Sequence, residues 1–400
     1  MAVVEVPVGR SRWSLTVRDA VLIPPPAIRS DHVVDARGAV VSALERPIRF
    51  ESFRRAITPD DRIALVIDES LPHLPQLIAG ILEYLATAGI PPSAVTAISP
   101  AGSSQHWVND LPETMADLQT EVHQPSDRKR LSYLAATKEG RRIYLNRTLV
   151  DAEQIIVLTG RGYDALLGYA GADGAIYPAL ADSDTVRSLV PKLSPQTSPD
   201  GDWPTHSEAA EVAWLLGSPF FVQVIEGPGD EVTEVMAGLS ETIADGTARL
   251  NARWKSSVRE PADTVVVTLS GDPARHDFAA LARAAACGAR AVKTDGTVIV
   301  LSEAEPELGG AVDVLRRSDE PPEAVKTLFR ERPADASAAV QWAWAAGRAR
   351  LYLASEIRPT TVEEMFATPL SGPRDVQRLL EAPGRILIIP DAHKSWVAVT

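Results

Sequence analysis

The residues able to do chemistry collect just after apolar runs. Asp68 and Ser70 follow RIALVI, while Ser103, Ser104 and His106 follow AVTAIS. Arg161 and Asp164 follow QIIVLT, and Asp272, Arg275 and His276 follow DTVVVTLS. Asp173 lies in a glycine-rich stretch, GYAGADGAIYP, residues 168–178. A carboxylate such as Asp68 suits a general base, or a turn and helix-cap residue. The adjacent Arg275 and His276 suit recognition of a carboxylate, or a solvated loop in which Asp277 caps the next helix. AGSSQHW reads as an anion cradle of backbone N–H groups and two hydroxyls, or as a polar turn with His106 at a solvent edge. Asp68, Asp164 and Asp173 together would suit a hard divalent cation. The ligand spacings of known metal motifs, HxH, HExxH and CxxC, do not occur, and neither does a phosphate-binding loop ending in lysine.

The elements that must hold these groups follow from periodicity. RIALVID reads as a buried strand, LPQLIAGILEYLATAG as an amphipathic helix closed by Gly89, and AVTAISP as a second strand, which makes one βαβ unit. EQIIVLTGRG is a strand that feeds the glycine-rich loop. FFVQVIEGPGDEVTEVMAG reads as a hairpin around GPGD, and HSEAAEVAWLLG, with His206, as a helix. After a linker, SSVREPAD, a second βαβ unit runs from Asp263 through an Ala-rich helix to TVIVLSE. Loops after parallel strands converge on one sheet edge, so the polar groups named above are candidates for a common site. The amino-terminal VVEVPVG and WSLTVRDAVLIPPP read as strands or a hairpin, then a proline-stiffened segment, and LSYLAATKEGRRIYL as two strands around a KEG turn. The pattern predicts an α/β protein of two α/β domains with mainly parallel sheets, residues 1–257 and 258–400, and an interdomain cleft. The last strand, RILIIPD, is free to complete the second domain or to return to the first.

Composition narrows the partners. A formal net charge of -13 over 400 residues argues against nucleic acid and against an anionic membrane surface. No apolar run reaches the roughly 20 residues a membrane-spanning helix needs. The single cysteine, Cys287, cannot form an internal disulfide, and its Ala-rich helix suits a small buried side chain. A cytoplasmic location and a small-molecule ligand are expected, with the oligomeric state open. Trp342 and Trp344 in VQWAWAAG suit the core and its edge, or a surface for a protein partner.

In order and spacing the chain resembles the LarA-like family, the nickel-dependent lactate racemases. The resemblance rests on RIALVIDESLP, AGIPPSAVTAISPAGSS, YLAATKEGRRIYLNRTLVDAEQIIVLTGRG, GYAGADGAIYPAL, THSEAAEVAWLLG, ADTVVVTLSGDP and ARAVKTDGTVIVLSE. It implies a lactate-racemase-like fold and, for the family, hydride transfer by a nickel-pincer cofactor tethered to a lysine. A loop histidine completes the nickel square, two histidines serve as acid and base, and an Arg and a Lys hold the substrate carboxylate.

Carried onto this sequence, Asp68 matches, but the family's strand-end Arg falls on Leu71 and a catalytic His on Ser104. The nickel-ligand His falls on Asp164 and the tether Lys on Gly174. A further loop His falls on Val190, and the substrate Lys on Ala274 beside Arg275. Glycine has no side chain to bond a cofactor, and carboxylate is a harder ligand than a sulfur-bound nickel prefers. The resemblance therefore implies a divergent member without the nickel-pincer nucleotide and without metal ligands, binding a small polar ligand in the cleft. Its catalytic candidates are Asp68, His106, Asp164, Arg275 and His276, and the cofactor-side positions are Gly171, Asp173, Gly174, Ser103 and Ser104. If it is an enzyme, a racemase or epimerase of 2-hydroxy acids using an untethered cofactor is the alternative, and a non-catalytic scaffold or regulatory subunit is the other.

Overall fold

The apolar runs become the buried strands of two sheets. The computed structural model describes residues 2–18, 20–23, 33–136 and 140–400. The prolines of the predicted stiff segment, and Lys138 and Glu139 of the KEG turn, lie outside the described residues. In chain order the strands are β1 (Ala2–Val8), β2 (Ser11–Val17), β3 (Ala20–Leu22), β4 (Ile63–Ile67), β5 (Val95–Ser99) and β6 (Gln119–Val122). Then come β7 (Leu131–Ala136), β8 (Arg142–Asn146), β9 (Gln154–Gly160), β10 (Gly162–Asp164), β11 (Gly168–Ala170), β12 (Phe220–Glu226) and β13 (Val232–Gly238). The rest are β14 (Lys255–Val258), β15 (Ala262–Thr268), β16 (Val292–Leu301), β17 (Arg350–Ala354), β18 (Ala367–Pro369), β19 (Ile386–Ile389) and β20 (Trp396–Val399).

The first sheet has the order β13-β12-β9-β4-β5-β6, and the second β18-β17-β16-β15-β19-β3. All neighbours are parallel except the β12–β13 hairpin. All five residues of β4 are buried, as expected of a central strand covered on both faces. The helix Leu74–Thr87 covers one face of the first sheet and the helix Pro204–Leu215 the other. The Ala-rich helix Phe278–Ala291 packs against the second sheet and against the helix Ala336–Arg348. Small side chains let those helices approach closely, and Cys287 sits fully buried among them. Asp277 caps the first of them, its side chain accepting from the Ala280 N–H at 2.7 Å. Among the described residues no helix is long and apolar enough to cross a membrane.

Two features depart from the linear reading. The predicted linker SSVREPAD is in part a strand: β14 pairs in parallel with β20, which follows RILIIPD. RILIIPD itself forms β19 inside the second sheet, between β15 and β3. The β1–β2 hairpin packs on that same sheet, with Val6, Val8, Leu15 and Val17 against Val266, Ile299 and Ile388. Sequence distance hid this, because local periodicity says nothing about which sheet a strand joins.

Register sets the site. Ile67 lies opposite Leu158, so Asp68 and Gly160 emerge side by side. Val224 lies opposite Gly160, so Glu226 emerges beyond it on the same edge. In the second sheet Val267 lies opposite Ile389, which brings the turns after β15 and β19 together.

Trp342 anchors the helix layer that backs this edge. It is fully buried, its Nε1 donates to the Met365 carbonyl at 2.7 Å, and it contacts the Phe278 ring, while Trp344 packs at the margin. Trp342→Ala is expected to cost about 3–5 kcal/mol of stability in a urea titration, the range for truncating a buried aromatic. A change below about 1 kcal/mol would show that this layer is not packed as described.

Candidate functional site

The strand ends of both sheets enclose a cleft of about 140 Å³. The first sheet contributes Asp68, the segment Gly160–Asp164 and Glu226. The second contributes Arg275, His276, Arg283, His393 and Lys394.

Charge in the cleft is organised by Glu226. One oxygen lies 3.1 Å from Arg275 Nη2 and 3.0 Å from Lys394 Nζ. Burial pushes this carboxyl up, but Lys394 and Arg275 outweigh it and hold the group below the usual carboxylate range. Arg275 also pairs with Asp230 and donates from Nε to the Ser70 carbonyl at 3.2 Å. Burial pulls its guanidinium down, and Glu226 and Asp230 more than offset that, so the net direction is up. Lys394 Nζ has three donors, and they meet Glu226 and the carbonyls of Gly227 and Gly229 at 3.0 and 2.6 Å. Both cations are therefore engaged. Arg283 lines the same cleft, and among the described residues it forms no ion pair and no hydrogen bond.

Two imidazoles face each other beside it. The rings of His276 and His393 are 5.1 Å apart, centre to centre, at 66°. The Nδ1 of each is buried with no partner. Burial, then Arg275 and Lys394, lower the His276 pKa. Burial, then Lys394, His276 and the two arginines, push His393 well below its ordinary value. Both rings are thus neutral near pH 7, each with one donor and one acceptor nitrogen. Asp391 holds the turn that presents His393 and Lys394. Its backbone is left-handed at φ 48°, and it accepts from Ser270 N and Oγ at 2.9 and 2.7 Å and from Gly229 N at 3.3 Å.

The glycine-rich loop forms a second chamber of about 210 Å³, walled mainly by Val66, Ile67, Ile98, Leu167 and Leu180. Asp68, Asp164 and Ala170 belong to the walls of both cavities. Gly171, at φ 78°, touches the end of β9 so closely that a Cβ there would lie 2.0 Å from the Gly160 carbonyl oxygen. Gly174 also lines this chamber, and among the described residues no Lys, Arg or His stands in its walls.

The expected site residues divide into three groups. Asp68, Asp164, Arg275 and His276 meet in the cleft, and Gly171 and Gly174 in the adjoining chamber. Asp68 works on the backbone: one oxygen accepts from Ser70 N and Oγ at 3.1 and 2.6 Å, the other from Gly160 N at 3.0 Å. Asp164 Oδ1 accepts from Leu166 and Leu167 N–H at 2.7 and 2.9 Å and shapes the β10–β11 turn. Asp173 is buried under the loop with one oxygen unpartnered, away from both cavities. Burial pushes its carboxyl up to about 6 against the pull of Arg161, and burial pulls Arg161 down to about 10. The idea of a cation shared by Asp68, Asp164 and Asp173 therefore lacks its third member.

Ser103, Ser104 and His106 line neither cavity. Ser103 Oγ donates to Glu69 at 2.6 Å and accepts from Gln105 N at 2.9 Å, and His106 is exposed. Leu71 and Val190 are core residues. Among the described residues no group of three or more His, Cys, Asp and Glu is arranged to hold a metal ion.

Glu226, Arg283, His393 and Lys394 escaped the sequence reading. His393 and Lys394 follow an apolar run, RILIIPDA, the same signal that marked Asp68 and Arg275. Arg283 was masked by the Ala-rich helix that carries it, and Glu226 by the hairpin it ends.

Residues 9–189 match the family model of the lactate racemase N-terminal domain. The lactate racemase apoprotein from Thermoanaerobacterium thermosaccharolyticum is similar in structure, with a TM-score of 0.76 at 17% identity over 99% of this chain and 100% of that one. A protein from Thermotoga maritima is also similar, with a TM-score of 0.68 at 11% identity over 93% of this chain and 100% of that one. No curated protein sequence matches the chain.

The imidazoles make stability depend on pH. Their pKa is lower folded than unfolded, so their contribution is complete above about 6.5 and is lost as pH falls through that value. His123 and His206, lowered chiefly by burial, act in the same sense. Asp173 acts oppositely, because its raised carboxyl takes up a proton in the native state between about 6 and the usual 3.8. The thermal midpoint is expected to fall from pH 7 to pH 5.5, less steeply in His393→Gln and more steeply in Asp173→Asn. Equal slopes in all three proteins would show that these groups are not buried as described.

Proposed function

We propose, for a chain whose residues 9–189 belong to the lactate racemase N-terminal domain family and whose whole length carries the lactate racemase fold, that the cleft binds a small carboxylate-bearing ligand at Arg283. The observation that carries this reading is the contrast among the cations. Arg275 and Lys394 are engaged with carboxylates and carbonyls, and Arg161 donates to the Ala170 carbonyl and the Thr247 hydroxyl, while Arg283 stands unpaired among the described residues beside two neutral imidazoles. An arginine fork matches a carboxylate, and the imidazole nitrogens supply further donors and acceptors for a hydroxyl.

The reading is nickel-free. The resemblance puts the tether lysine at Gly174, which has no side chain, and the nickel ligand at Asp164, whose Oδ1 already accepts two N–H groups. The phosphate of a nucleotide would meet no Lys, Arg or His in the chamber under the loop. The residues present do not fit the family's cofactor. If the bound ligand reacts, the imidazoles of His276 and His393, which line the cleft, are the groups available to take and return a proton, which favours an isomerase of 2-hydroxy acids as the second reading. In this reading the chain divides near residue 257, with β1–β3 lent to the second unit. A single buried cysteine suits the reducing cytoplasm.

Calorimetric titration with D- and L-lactate tests the anion site. Arg283→Gln is expected to weaken binding about 10- to 100-fold, from the 1.5–3 kcal/mol typical of a charged hydrogen bond. Unchanged affinity would refute the assignment. Expression beside the family's nickel-pincer assembly enzymes should leave the intact mass unmodified and the protein without nickel. A stoichiometric nickel signal would overturn the nickel-free reading.

A further inference from the structure

The chamber under the glycine-rich loop has no role in holding a carboxylate, yet it is open and shares three wall residues, Asp68, Asp164 and Ala170, with the cleft. It measures about 210 Å³, and an apolar cavity of roughly 150 Å³ is already large enough for benzene. Ile67, Ile98, Leu167 and Leu180 give it an apolar lining. The space depends on Gly174: a Cβ there would come within 2.6 Å of Leu167 Cδ1. Asp68 and Asp164 stand where the two cavities share their walls. They disfavour a negative group in the chamber, while the unpaired Arg283 favours one in the cleft.

We infer that the ligand is an amphipathic acid, with its carboxylate on Arg283 and an apolar body about the size of a phenyl ring in the chamber. This rests on the carboxylate reading above and adds the chemical class of the rest of the molecule. Charge sets the orientation, since a molecule reversed in the site would press its head against two carboxylates and leave Arg283 unpaired. Gly174 then serves to keep volume free for the ligand body.

The test is calorimetric titration of the full chain with three probes: lactate, 3-phenyllactate and 2-phenylethanol. The first two differ by one phenyl ring and the third lacks the carboxylate. Phenyllactate is expected to bind about 10- to 100-fold more tightly than lactate, the gain from burying an aromatic side chain. Ala175→Leu, which fills the chamber from a half-buried position, should remove that gain and leave lactate unchanged. Gly174→Ala, a smaller intrusion, should reduce it, and thermal midpoints confirm that both variants fold. Equal binding of lactate and phenyllactate, with both lost in Arg283→Gln, would overturn the chamber proposal and leave the carboxylate site standing. Equal binding of phenyllactate and phenylethanol, both indifferent to Arg283→Gln, would overturn the carboxylate reading itself.

Discussion

Glu226 ends a strand of the first sheet, and the two cations that meet it, Arg275 and Lys394, come from turns of the second. A carboxylate at this depth is tolerable only with such partners, and the partners only with it. Deleting one member of a buried network of this kind typically costs about 3–5 kcal/mol, because the others are left charged and unpaired. The site inherits its character from this constraint. With those two cations committed to holding the sheets together, and Arg161 donating to the Ala170 carbonyl and the Thr247 hydroxyl, Arg283 is the cleft-lining cation without a partner among the described residues. The same cations, with burial, keep His276 and His393 neutral.

Three aspartates do for the backbone what Glu226 does for charge. Asp68 binds the turn after β4 to the start of the turn after β9, Asp164 closes the β10–β11 turn, and Asp391 joins the turns after β15 and β19 to the β12–β13 hairpin. Each accepts backbone N–H groups that would otherwise be orphaned at a strand end. Carboxylates at the mouth of a cleft invite a catalytic reading, but here they fix the positions from which imidazoles and guanidinium groups project.

The central strands were legible because β4, β9, β15 and β19 are unbroken apolar runs, and burial on both faces demands that pattern. Half of the cleft was legible by the same rule, since Asp68, Asp164, Arg275 and His276 follow strands. The rest depended on contacts far apart in sequence. Nothing local in DAHKSW states that Lys394 will reach the carbonyls of Gly227 and Gly229. His106 shows the converse: a strand-end histidine whose loop turns outward, with Ser103 drawn instead to Glu69.

The amino-terminal strands carry a consequence for how the protein can be divided. Among the described residues β3 is the strand that borders β19 on the side away from β15, the four residues of β19 are all buried, and Gly9 exchanges backbone hydrogen bonds with the turn after β15. Gln377 likewise clasps Thr16 through both of its main-chain groups. A gene fragment beginning after residue 257 would thus encode a sheet stripped along one border, with a bare apolar edge of the kind that recruits other chains into aggregates. The second sheet is therefore not contiguous in sequence, since β3 borders strands that all come after residue 261. Recombination or truncation that keeps this sheet whole must carry β1–β3 along with β15–β19.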